Sequence, residues 1–113
     1  MLPKVARLTE DKDFSLVYKK GRRFSISNLR IFFLKSNQNV SRFGFVLGKK
    51  AVPKSTGRNR VKRILRASVG EKFHHLKPGY DVIIQGQAGC KSAEPSVLRA
   101  ELWELLEKGN LLA

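Results

Sequence analysis

The first helical pattern of the chain lies between Thr9 and Gly21. Phe14, Val17 and Tyr18 recur at the three- and four-residue spacing of one helix face. Acidic residues fill the first turn and lysines the last, as the helix dipole favours. The sequence therefore predicts a helix with Thr9 as its N-cap and Gly21 as its end. Core packing is the simplest interpretation of its aromatic face.

Two further segments have helical patterns. One spans residues 57 to 69 and has Thr56 or Ser55 available as its cap. The other begins at Pro95, a residue favoured at a first helical position, and ends at Gly109 after a run of regularly spaced leucines. We predict a helix for each segment.

Residues 29 to 34 and 43 to 48 are rich in β-branched and aromatic residues and are predicted as antiparallel strands, with 36 to 39 as the turn between them. A weaker strand is predicted at 23 to 27. Residues 80 to 85, after Pro78 and Gly79, are predicted as a buried strand. The helix at 57 to 69 would connect two strands that are parallel neighbours. One domain over residues 1–113 accommodates these elements.

The charge of the chain is strongly unbalanced. Lys and Arg number 23 against 9 Asp and Glu, a net charge of +14, and no acidic residue occurs between Asp13 and Glu71. Such a chain repels itself unless a polyanion neutralises it. We expect a polyanionic partner on one cationic side of the molecule.

Several classes of protein are disfavoured. Cys90 is the only cysteine, so an intrachain disulfide or a multi-cysteine zinc site is excluded and a reducing compartment, the cytoplasm, is predicted. The longest apolar run, residues 31 to 34, is too short to span a membrane. The adjacent His74 and His75 are predicted to be surface residues, and Cys90 to be incidental. The basic stretch contains no carboxylate that could act as a general acid or base or bind a catalytic metal, so catalysis by this chain alone is disfavoured.

The predicted helix at 57 to 69 has two unlike faces. Val61, Ile64, Leu65 and Ser68 share one side. Asn59, Lys62, Arg63 and Arg66 form a stripe on the other, flanked by Arg58 and Arg60. Like charges four residues apart repel, and cations oppose the dipole at a helix N-terminus. Phosphate oxygens would supply the missing negative charge; the alternative is a solvated face.

This basic segment resembles the signature of the ribonuclease P protein family: Lys49-Lys50, followed by Arg58-Asn59-Arg60-Val61-Lys62-Arg63-Ile64-Leu65-Arg66. The resemblance extends in order along nearly the whole chain, through Leu2-Pro3-Lys4, Arg7-Leu8, Asp13-Phe14, Val17-Tyr18-Lys19-Lys20-Gly21 and Leu76-Lys77-Pro78-Gly79-Tyr80-Asp81. It implies an α/β (α+β) two-layer sandwich of three helices on a small mixed sheet, with a left-handed crossover through the basic helix. Crossovers are generally right-handed, so the left-handed sense rests on the resemblance alone.

The resemblance also implies two RNA-binding surfaces. The basic helix and its preceding loop would bind the catalytic RNA, through Lys49, Lys50, Lys54, Arg58, Asn59, Arg60, Lys62, Arg63 and Arg66. A cleft between the first helix and the sheet would bind the single-stranded 5′ leader of precursor tRNA, through Phe14, Tyr18 and Phe32. Aromatic faces bind unstacked bases without requiring a particular sequence. Core packing remains the alternative for Phe14 and Phe32.

By this resemblance the chain is the accessory subunit of an endoribonuclease that removes tRNA leaders. Catalysis would lie with the RNA and require Mg²⁺, while the protein would bind no cofactor, membrane or small-molecule substrate. The sequence departs from the family at Tyr18, where Phe is commoner, at Gly48, and at Gln85 and Gln87, where Arg is frequent; the glutamines put a cationic contact beyond the last strand in doubt. A basic ribosomal or regulatory RNA-binding protein is the alternative that charge alone would fit.

Overall fold

The computed structural model describes residues 4–113, so the family-like Leu2 and Pro3 lie outside the described residues. Its helices and strands are, in order, α1 (Asp11–Lys20), β1 (Arg22–Ile26), β2 (Leu29–Lys35), β3 (Arg42–Val46), α2 (Ser55–Lys72), β4 (Tyr80–Gly86) and α3 (Pro95–Lys108). Short 3₁₀ helices occupy Lys4–Ala6, Phe73–His75 and Ala88–Ser92.

The four strands form one mixed sheet in the order β1-β2-β4-β3. β2 is antiparallel to β1 and to β4, and β3 is parallel to β4, as the helical connection through α2 predicts. β2 and β3 run in opposite directions, as predicted. The prediction that they pair with each other through a turn at residues 36 to 39 is wrong, because β4 lies between them. The buried run Asp81–Ile84 accounts for this, since a strand covered on both faces is suited to a central position. The left-handed sense of the crossover stays a prediction.

Helices cover both faces of the sheet. On one face Leu29, Ile31 and Phe33 of β2 belong to the main core, which α2 and α3 complete. On the other face Phe32 and Ile83 form a smaller core that includes residues of α1 and of the N-terminal segment. The prediction of three helices on a small mixed sheet is confirmed. The two-layer description is incomplete, because α1 adds a partial third layer.

The helix ends differ from the predictions in their caps. Glu10, and not Thr9, is the N-cap of α1, since its carbonyl accepts the first helical hydrogen bond, from the Phe14 N–H at 3.1 Å. Lys54, and not Ser55 or Thr56, is the N-cap of α2, and its backbone carbonyl accepts a hydrogen bond from the Arg58 N–H at 3.0 Å. Neither cap side chain makes a capping hydrogen bond within the described residues.

Gly21 and Gly109 end α1 and α3 as predicted. A side chain at residue 21 would collide with the carbonyl oxygens of Val17 and Phe33. The absence of a Cβ therefore lets the chain turn directly from α1 into the sheet.

A half-buried ion-pair cluster attaches the start of α1 to the sheet. Nε and Nη2 of Arg42 each donate to one carboxylate oxygen of the buried Asp81, both at 2.8 Å. Nη1 of Arg42 lies 3.4 Å from Oδ2 of Asp13 in α1. The hydrogen bond to Asp81 is the main cause of a raised pKa for Arg42. Asp13 thus positions α1 over the sheet as well as favouring its first turn.

Candidate nucleic-acid interface

The two faces of α2 are arranged as the spacing predicts. Val61 and Leu65 are fully buried, Ser68 is buried and Ile64 is half-buried against the main core. Trp103 of α3 donates from Nε1 to the backbone oxygen of Ser68 at 3.0 Å, which attaches α2 to α3. Because this side of α2 packs against the core and α3, the opposite side of the helix faces solvent.

The predicted RNA-binding residues on that side have uncompensated charge. Asn59, Arg60 and Arg63 are exposed, and so are the lysines of the preceding loop, Lys49, Lys50 and Lys54. None of the eight predicted cations forms a salt bridge within residues 4–113. The first turn of α2 also contains no acidic residue to balance its dipole. The result is a cationic surface suited to a polyanion.

Arg58 differs from its neighbours because its guanidinium is used inside the protein. Its Nη1 donates to the backbone oxygens of Val52 at 3.0 Å and Pro53 at 2.8 Å. These bonds hold the loop that precedes α2. Arg58 therefore organises the basic surface even where it does not itself contact RNA.

A groove of about 190 Å³ runs around the outer strand β3, from α2 to α1. Lys62 and Arg66 line it on the α2 side, and the Arg66 guanidinium lies 5.9 Å from the centroid of the Phe45 ring. Phe14 lines it on the α1 side and covers Gly44, where an added Cβ would collide with the Phe14 ring. The two predicted RNA-binding sets are therefore adjacent in space.

The three aromatic residues predicted for the leader cleft differ in exposure. Phe32 is only 7% exposed and belongs to the smaller core, and Phe14 is half-buried beside it. Tyr18 is 41% exposed. Its ring meets that of Phe32 edge to face, with centroids 4.7 Å apart. Tyr18 thus presents the most accessible ring, and Phe32 supports it from below.

The Tyr18 hydroxyl reaches across the open part of the sheet and donates to Oε1 of Gln85 in β4 at 3.4 Å. Partial burial raises the pKa of Tyr18, so the phenol remains a protonated donor well above neutral pH. The predicted cleft would therefore be bounded by an aromatic ring on one side and by polar groups of the sheet on the other.

Sequence reasoning did not single out Arg30, which lies on the same face of the sheet as Phe32. It is the cross-strand partner of Gln85. Its Nη2 also lies 3.5 Å from Oε1 of Gln87. A cation is therefore present beside the two glutamines, supplied by the neighbouring strand β2. The available sequence indication was a lone cation within the otherwise apolar run of residues 29 to 34.

The remaining candidates for chemistry are not assembled into a site. His74 and His75 are exposed, as predicted. Cys90 is fully buried in the main core, and this burial raises the pKa of its thiol. Across residues 4–113 the structure places no three His, Cys, Asp or Glu residues together as a metal site would require. No helix in that same range is long and apolar enough to cross a membrane.

Comparison with known proteins identifies the family. The family described as Ribonuclease P matches residues 2–110. The chain belongs to this ribonuclease P protein family. It is 36% identical over 108 residues to the ribonuclease P protein component of Alkaliphilus oremlandii, which covers 96% of this chain and 94% of that protein. The Synechocystis protein component is 43% identical over 84 residues, which are 74% of this chain and 68% of that protein.

Solved structures of ribonuclease P proteins have the same fold. The Staphylococcus aureus protein superposes with a TM-score of 0.90 at 21% identity, covering 97% of this chain and 100% of that one. The Thermotoga maritima protein superposes with a TM-score of 0.82 at 25% identity, covering 90% of this chain and 96% of that one. Membership of the ribonuclease P family establishes a role in tRNA processing.

Proposed function

We propose that the chain is the RNA-binding subunit of a ribonuclease P ribonucleoprotein and that it assists removal of the 5′ leader from precursor tRNA. The basic face of α2 and the loop before it bind the RNA subunit. The observation that supports this most directly is the set of eight cations without a salt bridge in the described part of the chain. Phosphate groups would supply the counter-charge that the protein lacks.

The open cleft beside α1 binds the leader. Tyr18 offers an accessible ring, and its hydrogen bond to Gln85 and its contact with Phe32 hold that ring in place. Stacking on such a ring tolerates any base, as a subunit that serves many leaders requires. Phe14 lies in the groove toward α2, on a path that connects the two surfaces.

Catalysis in this proposal is carried by the RNA subunit, with Mg²⁺ at the scissile phosphate. The protein contributes cations near that centre, which lower the Mg²⁺ concentration needed to neutralise the phosphates. No side chain of the protein acts as a general acid or base. The cytoplasm fits this role, because a reducing compartment preserves the buried thiol of Cys90.

A reconstitution assay tests the proposal. The protein alone should leave precursor tRNA uncut, and its addition to the ribonuclease P RNA should increase cleavage at low Mg²⁺. A matched reaction at high Mg²⁺ should show a smaller effect, because the metal then replaces the protein cations. Cleavage by protein free of RNA, or no effect of the protein at any Mg²⁺ concentration, would contradict the proposal.

A further inference from the structure

Arg30 occupies a defined position on the open part of the sheet. Its strand neighbour two residues along is Phe32, and successive side chains of a strand alternate between faces, so the two share the face that α1 partly covers. On the neighbouring strand β4 its partner is Gln85, whose Oε1 accepts a hydrogen bond from the Tyr18 hydroxyl. Arg30 therefore lies on the cleft floor, next to the residue that holds the accessible aromatic ring.

The Arg30 guanidinium is fixed in place by neutral groups. Nε donates to Oγ of Ser25 at 3.0 Å, and Nη2 lies 3.5 Å from Oε1 of Gln87. Gln87 is itself held, because its Nε2 donates to the backbone oxygens of Ile26 and Leu29 at 2.7 and 3.2 Å. A guanidinium carries five N–H donors, so these two contacts leave others free for a ligand.

Arg30 lacks an anionic partner in the part of the chain that the structure describes. It is half-buried, so its charge is less well solvated than that of an exposed arginine. Arginines are almost never fully buried unless they are paired, so partial burial without an anion is unfavourable for Arg30. A fixed and unpaired arginine with free donors is an arrangement suited to binding an external anion.

A purely structural role for Arg30 is the competing explanation, since Ser25 and Gln87 flank the β1–β2 turn. That turn is already anchored by other groups. The Asn28 N–H donates to Oε1 of Glu101 at 2.9 Å, and the Gln87 N–H donates to the Asn28 oxygen at 2.8 Å. The Glu101 carboxylate and a backbone hydrogen bond thus hold the turn without the Arg30 guanidinium.

We propose that Arg30 binds a backbone phosphate of the single-stranded RNA segment whose base stacks on Tyr18. This assignment rests on the proposed function of the cleft and adds a residue to it. A phosphate, rather than a base edge, fits because charge and a donor fork complement phosphate oxygens at every sequence. Arg30 would then fix the path of the leader while Tyr18 supplies base stacking.

The test compares Arg30→Ala and Arg30→Lys in the reconstituted holoenzyme, with precursor tRNA and mature tRNA as ligands. Arg30→Ala should weaken binding of precursor tRNA about tenfold, as expected for one charged hydrogen-bonded contact. The log-log salt dependence should flatten by about 0.7, the value for one single-strand phosphate. Arg30→Lys keeps the charge and should retain the salt slope while recovering part of the affinity. Mature tRNA should bind equally well in all cases.

Arg99→Ala is the matched control, because it removes one exposed arginine from α3, on the other side of the sheet. It should leave both affinities unchanged. Melting temperatures of the variants separate binding from folding. Two results for Arg30→Ala would refute the proposal. One is unchanged binding of precursor tRNA, and the other is an equal loss of affinity for both tRNAs together with a large fall in melting temperature.

Tyr18→Ala, measured in parallel, separates this proposal from the proposed function. If Tyr18→Ala weakens only precursor tRNA binding and Arg30→Ala does not, the cleft binds the leader without Arg30 and the inference is wrong. If neither variant distinguishes the two tRNAs, leader binding in this cleft is itself contradicted. A selective loss in both supports the two assignments together.

Discussion

Tyr18 and Phe32 form a pair in which one ring is accessible and the other is buried. The edge-to-face contact at 4.7 Å and the hydrogen bond to Gln85 restrict the Tyr18 ring from two sides. A ring ordered before binding loses less conformational entropy when a base stacks on it. Phe32 therefore contributes to binding chiefly by positioning Tyr18.

Replacement of Tyr18 by Ala should separate stacking from packing. We expect binding of precursor tRNA to weaken by about 1 to 3 kcal/mol, the usual contribution of one stacked base. Mature tRNA, which lacks the leader, should bind as before. Because Tyr18 is 41% exposed, the melting temperature should fall only slightly. Affinity measurements with both tRNAs, beside a thermal melt, provide the check.

Phe32→Ala is the control for this prediction. Truncation of a buried Phe typically costs about 3 to 5 kcal/mol of folding free energy, so this variant should melt much lower and bind both tRNAs poorly. The cleft assignment fails if Tyr18→Ala behaves like Phe32→Ala, with a large loss of stability and no preference between the tRNAs.

Residue types alone could not distinguish the three cleft aromatics. Phe14 and Tyr18 share the helix face predicted from their spacing, yet Phe14 turns toward Gly44 and Tyr18 toward Gln85. Those contacts depend on where the sheet lies under α1, which is a non-local property. The same reason concealed Arg30, because its proximity to Gln85 follows from strand register and not from spacing along the chain.

At the scale of elements, local patterns succeeded and so did the parallel pairing of β3 with β4, but the predicted pairing of β2 with β3 was wrong. The 3.6-residue period predicted the buried and basic faces of α2, and glycine predicted the ends of α1 and α3. The caps were wrong because backbone hydrogen bonds begin at Glu10 and Lys54, whose side chains are not typical caps. The insertion of β4 between β2 and β3 could not be derived from either strand, since a strand pattern does not specify its partner.

The basic face of α2 should account for assembly with the RNA subunit. We expect Arg60→Ala with Arg63→Ala to weaken that assembly and to flatten its log-log salt slope by roughly one unit for each lost phosphate contact. Both residues are exposed, so folding should not suffer. Alanine favours helix, and removal of like charges relieves a repulsion of a few tenths of a kcal/mol. Binding titrations over a range of salt concentrations measure the effect.

A matched double variant removes the same charge from α3. Arg99→Ala with Lys108→Ala breaks two exposed ion pairs, with Glu71 and Glu104, and the contact of Arg99 with the Trp103 ring. Its assembly with RNA should be nearly unchanged. Equal behaviour of the two double variants would mean that net charge alone, and not the α2 face, governs assembly.

For the molecule as a whole, charge and stability are connected. The net charge is +14, and the salt bridges in the described residues involve Arg42, Arg99 and Lys108 and none of the eight predicted RNA-binding cations. Unpaired like charges destabilise a compact state. An anion that binds the folded protein should therefore stabilise it by mass action.

Thermal unfolding in inorganic pyrophosphate tests this connection. At a concentration ten times the dissociation constant, binding to the folded state should add about 1.4 kcal/mol of stability, which corresponds to a rise in melting temperature of roughly 5 °C. Potassium chloride at the same ionic strength screens the charges, but its monovalent anion does not bind several cations of the basic face at once. It should therefore raise the melting temperature less. The Arg60→Ala, Arg63→Ala variant should melt near the parent protein in chloride but gain less from pyrophosphate, because part of the anion site is gone. If chloride and pyrophosphate at matched ionic strength give equal shifts in the parent protein, its cations respond only to screening, and no specific coupling between anion binding and folding exists.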